Sequence, residues 1–353
     1  MITDDLLKRP GLWVSRGKKK GIIISSRVRL ARNVRGHLFP GRAGEEERVG
    51  ICAELHAALQ EVPMLSDALY VDMGTLDDVD CEILKERHLI SSELAEQGVG
   101  SGLMVARDER VAVMINEEDH LRLQAINPGL DLEGVWEKVG GVDTQLEQHV
   151  SIAFSRELGY LTACPSNVGT GLRASVMMHL SGLRLTNEIE PVVKGLEKMG
   201  LAVRGSLGEG TDAYGNMFQI SNQSTLGETE QDIIANLDAV VTEVARHERN
   251  ARARLSRHRR TYLVDQVGRA FGVLMYARLL NSREALDLLS GIRLGVEMDL
   301  VHGLTLDQIN EIMLATQPGH LQRLGQRVIE PEDRDAARAE MIRQRLGDVR
   351  IAG

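Results

Sequence analysis

The sequence predicts an α+β protein in which strands and helices share the chain up to about residue 255 and helices alone fill the rest. Three observations predict this. Gly21-Ile-Ile-Ile-Ser-Ser26 is a β-branched run of strand length. Leu103–Ile115 is two apolar runs around a charged turn, a hairpin signal. From about Leu255 the apolar residues follow helical spacing and no strand signal appears.

Taken in order, residues 1–20 are polar, end in Arg16-Gly-Lys-Lys-Lys20 and read as a solvated arm. After the first strand, Arg27 and Arg29 fall on one side of an extended segment, so they need an anion between them or open solvent. Glu45–Val62 carries Val49, Cys52, Leu55, His56 and Leu59 on one helical stripe. Ala68–Met73 reads as a strand. Glu82–Ala95 reads as helical or irregular and contains His88, unremarkable by itself. The hairpin then delivers Asn116-Glu-Glu-Asp-His-Leu-Arg122. Three adjacent carboxylates are costly to crowd unless cations or solvent neutralise them. They read either as a charged helix start or as a metal-phosphate and general-base cluster. On a helix, Glu118 and Arg122 would be neighbours.

Asp131–Phe154 reads as a long helical stretch broken near Gly140-Gly141. Gly159–Cys164 leads into Cys164-Pro-Ser-Asn-Val-Gly-Thr-Gly-Leu-Arg173. Ala174–Leu185 and Asn187–Met199 read as helices, the second stopped by Gly200. Leu201–Arg204 is a short strand feeding a glycine-rich loop over 205–210, with Tyr214–Asn222 as its partner strand. A long helix runs from Gly227 to Arg254 and ends in a basic junction, Arg252, Arg254, Arg257, Arg259 and Arg260. Helical periods follow at Val264–Leu280, Ser282–Gly295, Thr305–Ala315 and Pro331–Leu346, with helix entries at Thr305-Leu-Asp-Gln308 and Glu330-Pro-Glu-Asp333. The expected organisation is an arm over 1–20, a first domain over 21–255 and a helical domain over 256–353.

Composition narrows the class. The 353 residues carry 42 Lys+Arg against 51 Asp+Glu, a net charge of −9, which argues against generic binding to nucleic acid or a membrane surface. No apolar run reaches transmembrane length, and the acidic N-terminus lacks a signal segment. Cys52, Cys81 and Cys164 are odd in number and far apart, so neither a disulfide framework nor a zinc site is expected and a reducing cytoplasm is.

The chemistry rests on arginine. There is no Walker-type phosphate loop, and Gly98-Val-Gly-Ser-Gly102 lacks the strand–turn–helix context of a dinucleotide fingerprint. Arg27, Arg29, Arg122, Arg173 and Arg204 each stand at a strand end or in a glycine-flanked loop. Guanidinium forks match phosphate oxygens, and several around one polyphosphate neutralise charge during its transfer. Glu117, Glu118, Asp119 and Glu209 supply the opposite sign, to hold Mg²⁺ or grip a cationic acceptor. Cys164, beside a glycine-rich turn, reads either as an activated thiol or as an inert residue.

Ser25-Ser-Arg-Val-Arg29, Asn116-Glu-Glu-Asp-His-Leu-Arg122, Cys164-Pro-Ser-Asn-Val-Gly-Thr-Gly-Leu-Arg-Ala-Ser175 and Arg204-Gly-Ser-Leu-Gly-Glu209 closely resemble, in order, the signature segments of the ATP:guanido phosphotransferases. The resemblance covers about residues 20–255. It implies an antiparallel sheet flanked by helices, with ATP and Mg²⁺ as cofactors and the metal carried by the phosphates. It implies that Arg27, Arg29, Arg122, Arg173 and Arg204 clamp the ATP phosphates, with Ser25, Ser26, Val28, Ala174, Ser175, Val176, Met177, Gly205, Ser206, Leu207, Gly208 and Glu209 beside the nucleotide. His88 falls where the family has a histidine near adenine. Glu118 matches the general base, Glu117 and Asp119 its support near the magnesium, Glu209 a second guanidinium-gripping carboxylate, and Cys164 the reactive cysteine against the guanidinium.

Two departures qualify the resemblance. Gln219 stands where the family usually has an aspartate near the nucleotide. The helical domain that precedes the first motif in the small-molecule kinases has no room here, and an extra helical domain follows instead. That pattern resembles the bacterial protein arginine kinases, which mark proteins for degradation in stress responses. Arg334-Asp-Ala-Ala-Arg-Ala339 resembles their phosphoarginine-binding motif, giving a pocket of Arg334, Asp335, Arg338 and Ala339 that tunes activity between subunits. The expected partners are protein substrates with exposed arginine, an activator protein, an AAA+ protease machinery and a second copy of the chain, in the cytoplasm, with no nucleic acid or membrane. A free-arginine kinase and a catalytically silent phosphoarginine-binding adaptor are the alternatives.

Overall fold

The computed structural model describes residues 6–9, 11, 21–205, 213–325 and 330–351. The elements in chain order are β1 (Ile23–Arg32), α1 (Glu45–Gln60), β2 (Leu69–Asp72), α2 (Asp78–Glu86), α3 (Ser92–Ala95), β3 (Gly102–Val105), β4 (Val111–Ile115), β5 (Leu121–Pro128) and α4 (Leu132–Leu146). Then come β6 (Phe154–Ser155), β7 (Gly159–Tyr160), β8 (Leu172–His179), α5 (Ser181–Leu185), α6 (Ile189–Lys198), β9 (Leu201–Gly205) and β10 (Met217–Asn222). The remainder is α7 (Glu230–His258), α8 (Arg260–Tyr276), α9 (Ser282–Glu297), β11 (Val301–His302), α10 (Leu306–Ala315), α11 (Pro318–Leu324), α12 (Pro331–Leu346) and β12 (Arg350–Ile351). An eight-stranded sheet has the order β2-β3-β4-β5-β1-β8-β10-β9. Among the described residues, no helix is long and apolar enough to cross a membrane.

Two compact units make up the chain, one from 25–175 and 221–238 with the described N-terminal residues, the other from 21–24, 176–220 and 239–351 as described. In the first, the expected hairpin forms: β3 pairs antiparallel with β4, and β4 with β5. Every residue of β3 and β4 is buried, because their unbroken apolar runs are covered on both faces. Val71, Met73, Leu84, Leu89, Leu94, Leu103, Val105 and Met114 form one core cluster. Leu6 joins it, so this residue of the segment read as a solvated arm is buried instead. Arg87, at the end of α2, is buried against Glu109 of the β3–β4 turn (2.6 Å), and the next residue, His88, takes a left-handed φ of 60°.

Three readings are corrected. The run after Arg173 is not a helix but β8, with α5 confined to Ser181–Leu185. A short buried apolar run has no periodicity to separate strand from helix. Here its place between β1 and β10 in the sheet settles the matter, and the Asn222 side chain adds to its start, accepting from Ala174 N at 2.8 Å and donating to Leu172 O at 3.0 Å. The helix α4 also runs through Gly140-Gly141 without a break. Lastly, the C-terminal part is not free of strands, because β11 pairs with β12. The capping box read at Thr305 and Gln308 forms at the start of α10.

The second unit buries a charged network. Glu248 of α7 accepts from Gly182 N and Leu183 N (2.7 and 2.8 Å) and from Arg252. Glu297 of α9 binds Arg252 (2.7 Å) and Arg293 (3.0 Å). Arg293 also donates to Gly21 O and to His179 Nδ1. With Nδ1 accepting, Nε2 carries the proton and donates to Ser290 Oγ, so His179 is neutral. Burial is the main reason its pKa falls to about 3. Burial works against the Glu297 carboxylate, but the guanidiniums of Arg293 and Arg252 outweigh it and hold the pKa at about 2.

Both groups bind protons less readily folded than unfolded, so acid favours the unfolded state. Stability of this unit is expected to fall as pH drops from the ordinary histidine pKa of ~6.5 through ~4.3, the ordinary carboxylate value, toward 2. Glu297→Gln at pH 7, leaving the buried Arg293 guanidinium without a carboxylate partner while Arg252 keeps Glu248, is expected to cost about 3–5 kcal/mol by urea denaturation.

Candidate active site

The site begins as one crowded face of β1. Val28 and Leu30 are fully buried, while Arg27 and Arg29 are half-buried on the other side. In the antiparallel register, Ala31 faces Arg122, Arg29 faces Gln124 and Arg27 faces Ile126. Paired residues point the same way, so Arg122 joins the two arginines. Arg173, half-buried on β8, is close enough to act on both. Burial, then Arg122 and Arg173, pull the Arg27 pKa down to about 10. Burial and the three other guanidiniums also depress Arg29, with Glu117 opposing them. Arg29 Nε is buried with no hydrogen-bond partner. This cationic face fits a polyphosphate.

His88 lies beside it. Gln124 Nε2, on the arginine face, donates to His88 O at 2.6 Å. Burial and then Arg27 lower the His88 pKa to about 3, so the ring stays neutral. Ser26 is fully buried and structural, with Oγ donating to Gly129 O (2.8 Å) and accepting from Asp131 N (3.0 Å). Ser25, Ala174 and Ser175 are buried strand residues.

The carboxylates of 117–119 sit in a hairpin turn, not at a helix start. Asn116 takes a left-handed φ of 56° and donates its N–H to His120 O at 2.9 Å, closing the turn between β4 and β5. The turn, not a helix, makes Glu118 and Arg122 neighbours (3.4 Å). Three adjacent acids receive three different surroundings. Glu117 is buried, accepting from Arg122 at 2.5 Å and from Ser91 Oγ. Glu118 is exposed (41 % of its side chain), and burial of the remainder, then Asp119, raises its pKa. Asp119 is fully buried, and burial raises its pKa too, against the hydrogen bonds it accepts.

Those hydrogen bonds join distant segments. Asp119 Oδ1 accepts from Asn33 Nδ2 and from Ala163 N, both at 2.6 Å. Asn33 Nδ2 also donates to Leu161 O (3.0 Å), and its Oδ1 accepts from His120 N (2.9 Å). Asn33 is absent from every motif considered above. Its signal was a polar residue just past a buried strand, visible but too common to single out. Cys164, half-buried and next to Ala163, has its Sγ 3.0 Å from Ser166 Oγ. Its carbonyl accepts from Thr162 Oγ1 (2.8 Å) and Asn167 N (3.0 Å). Gly171 (φ 64°) lies so close to β1 that a Cβ would stand 2.7 Å from Ala31 O, which explains this motif glycine.

In the second unit, Val176 is buried, and Met177 and Gln219 are half-buried. Arg204 is exposed near the end of β9, with Gly205 half-buried. Ser206, Leu207, Gly208 and Glu209 lie outside the described residues. On α12, Arg334 and Asp335 are half-buried and Ala339 is buried. Arg338 is 1 % exposed and donates to Leu280 O (2.7 Å), Thr316 O (2.9 Å) and Asp335 (2.6 Å). It therefore braces the carbonyl end of α10.

Comparison with known proteins places this geometry. Residues 51–251 match the ATP:guanido phosphotransferase C-terminal catalytic domain, and residues 260–352 match the protein-arginine kinase McsB C-terminal domain. The chain is 46 % identical to a protein-arginine kinase of Moorella thermoacetica over 345 residues, 96 % of this chain and 98 % of that one. It is 42 % identical to that of Bacillus subtilis over 337 residues, 95 % of this chain and 93 % of that one. Among solved structures it resembles a lombricine kinase (TM-score 0.58, 26 % identity, 67 % of this chain and 69 % of that one). It also resembles the duplicated taurocyamine kinase of Schistosoma mansoni (TM-score 0.57, 26 % identity, 70 % of this chain), of whose length it spans 37 %.

If Asn33 and Asp119 pin the cysteine turn, Asn33→Ala loses a charged hydrogen bond, and local opening is expected to rise about tenfold. Alkylation of Cys164, followed by mass spectrometry with buried Cys52 as reference, is expected to accelerate to match. An unchanged rate would detach Asn33 from the turn.

Proposed function

The chain belongs to the protein-arginine kinases of the ATP:guanido phosphotransferase family, and on that premise we propose how its own residues transfer a phosphoryl group to an arginine side chain of a protein. The observation that carries the reading is the carboxylate of Asp119, which ties the Glu118 turn and the Cys164 turn together beside the arginine face. Arg27, Arg29, Arg122 and Arg173 hold the ATP phosphates. The unpartnered Arg29 Nε and the depression of Arg27 and Arg29 by burial and the neighbouring guanidiniums are the need that a polyanion meets. His88, neutral, sits beside the base. Magnesium carried with the ATP would supply further neutralisation of charge on the transferring group. Arg204, Glu209 and the other second-unit contacts are proposed on the motif match alone.

A guanidinium is fully protonated and a poor nucleophile. Cys164 and Glu118 orient it, and Glu118 takes a proton as the nitrogen forms its bond to the γ-phosphorus and the bond to the β-phosphate oxygen breaks, releasing ADP. Glu118 suits a base because it is exposed and its pKa is raised. Glu117, sealed against Ser91 and Arg122, aligns Arg122. By resemblance, the phosphoarginine product marks proteins for degradation in stress responses in the cytoplasm. Arg334 and Asp335 would read it, helped by an activator, a protease machinery and a second copy of the chain.

Glu118→Gln is expected to lower transfer by about 10²–10⁴-fold while ATP binding persists. Loss of ATP binding instead would reassign the residue. The acidic limb of the rate profile is expected above the ordinary carboxylate pKa, since Glu118 must be ionised to accept the proton. Incubation with Mg-ATP, a folded protein and free arginine, with detection of acid-labile phosphate, separates the alternatives. Label on protein supports this reading, and label confined to free arginine favours the small-molecule kinase. No label, with phosphoarginine still bound, favours the silent adaptor.

A further inference from the structure

A cavity of about 340 Å³ opens beside α4 in the first unit. Arg32 lines it but is committed inward. It is paired with Asp143 (2.7 Å), donates to Ala31 O and Thr170 O, and stacks 3.4 Å over the Tyr160 ring. Besides Thr144 and two glycines, the wall holds Glu137 and Glu230, neither in an ion pair among the described residues, with the indole of Trp136 and the ring of Tyr160. Carboxylates beside aromatic faces select an organic cation.

The floor carries a second, independent sign. The pair Gly140-Gly141 lies inside α4, where each glycine costs roughly 1 kcal/mol relative to alanine. Packing does not require the second of them, since a Cβ at Gly141 would meet nothing within 4 Å. The space above it is simply kept open. The cavity is also near the chemistry. Tyr160 is four residues before Cys164, so the backbone cannot separate them by more than ~14 Å.

We propose that this cavity is a subsite for a second basic side chain, a guanidinium or ammonium, a few residues from the acceptor arginine of the protein substrate. The proposal rests on the reading that the acceptor arginine docks at Cys164. It makes the enzyme selective for arginines in locally basic segments.

The test compares peptides with one acceptor arginine and, three or four residues to either side, lysine or norleucine. A wild-type preference of about tenfold in kcat/KM for the lysine peptides is expected. In Glu137→Gln/Glu230→Gln, and separately in Gly141→Met, which fills the space with a good helix former, the preference is expected to vanish. Rates on the norleucine peptides stay within about twofold of wild type, showing an intact fold. No preference in the wild type, or a preference surviving both variants, overturns the proposal. Binding is read without nucleotide from Trp136 fluorescence in a Trp13→Phe background. A saturable change with the lysine peptide that both variants abolish supports the subsite, and one they leave intact overturns it. Because this readout needs no turnover, absence of transfer to any peptide or protein would count against the acceptor reading alone.

Discussion

Like-charge repulsion on one sheet face is the constraint around which the first unit is arranged. Arg27, Arg29, Arg122 and Arg173 are brought together by strands whose opposite faces are locked in the core. The sheet cannot splay to relieve the repulsion, and Glu117 answers only part of it. A site so poised has its binding energy built in before the ligand arrives, because the cost of gathering the charges is met by folding. The acid turn beside it shows the complementary arrangement, with one carboxylate sealed, one exposed and one spent on backbone and amide donors.

How far this was legible depends on what each residue's neighbours are. The hairpin, the C-terminal helices and the Thr305–Gln308 cap rest on local pattern, and local pattern suffices for them. The arginines were legible because charge at the end of an apolar strand is conspicuous. Glu117, Glu118 and Asp119 were told apart only by the family resemblance and not by their own pattern, since three adjacent acids differ through Ser91, Arg122, Asn33 and Ala163, all supplied by the fold. The run after Arg173 was misread as helix because its strand identity comes from its sheet neighbours β1 and β10, both far away along the chain. Gly140-Gly141 looked like a break because propensity was weighed without the packing that holds α4 together.

The second unit shows the same logic with buried charge. His179, Glu248, Arg252, Arg293 and Glu297 come from a strand and two helices and leave little room for alternatives. Gly182 fits only without a side chain, since a Cβ there would stand 2.8 Å from Arg252 Cγ. Such a network adds little net stability over an apolar core, but it penalises any packing that leaves one member unpaired. Arg338 does similar work at the end of α10.

The Asn33–Asp119–Ala163 junction has one more consequence. Its three members lie 86 and 44 positions apart along the chain. Contacts of such long range form only when the strands between them have found their register. The cysteine turn therefore has no local means of reaching its working position in a partly folded chain. On the role proposed for Cys164, competence would arrive with the last long-range contacts rather than grow by degrees, and a molecule caught halfway to the native state would lack it.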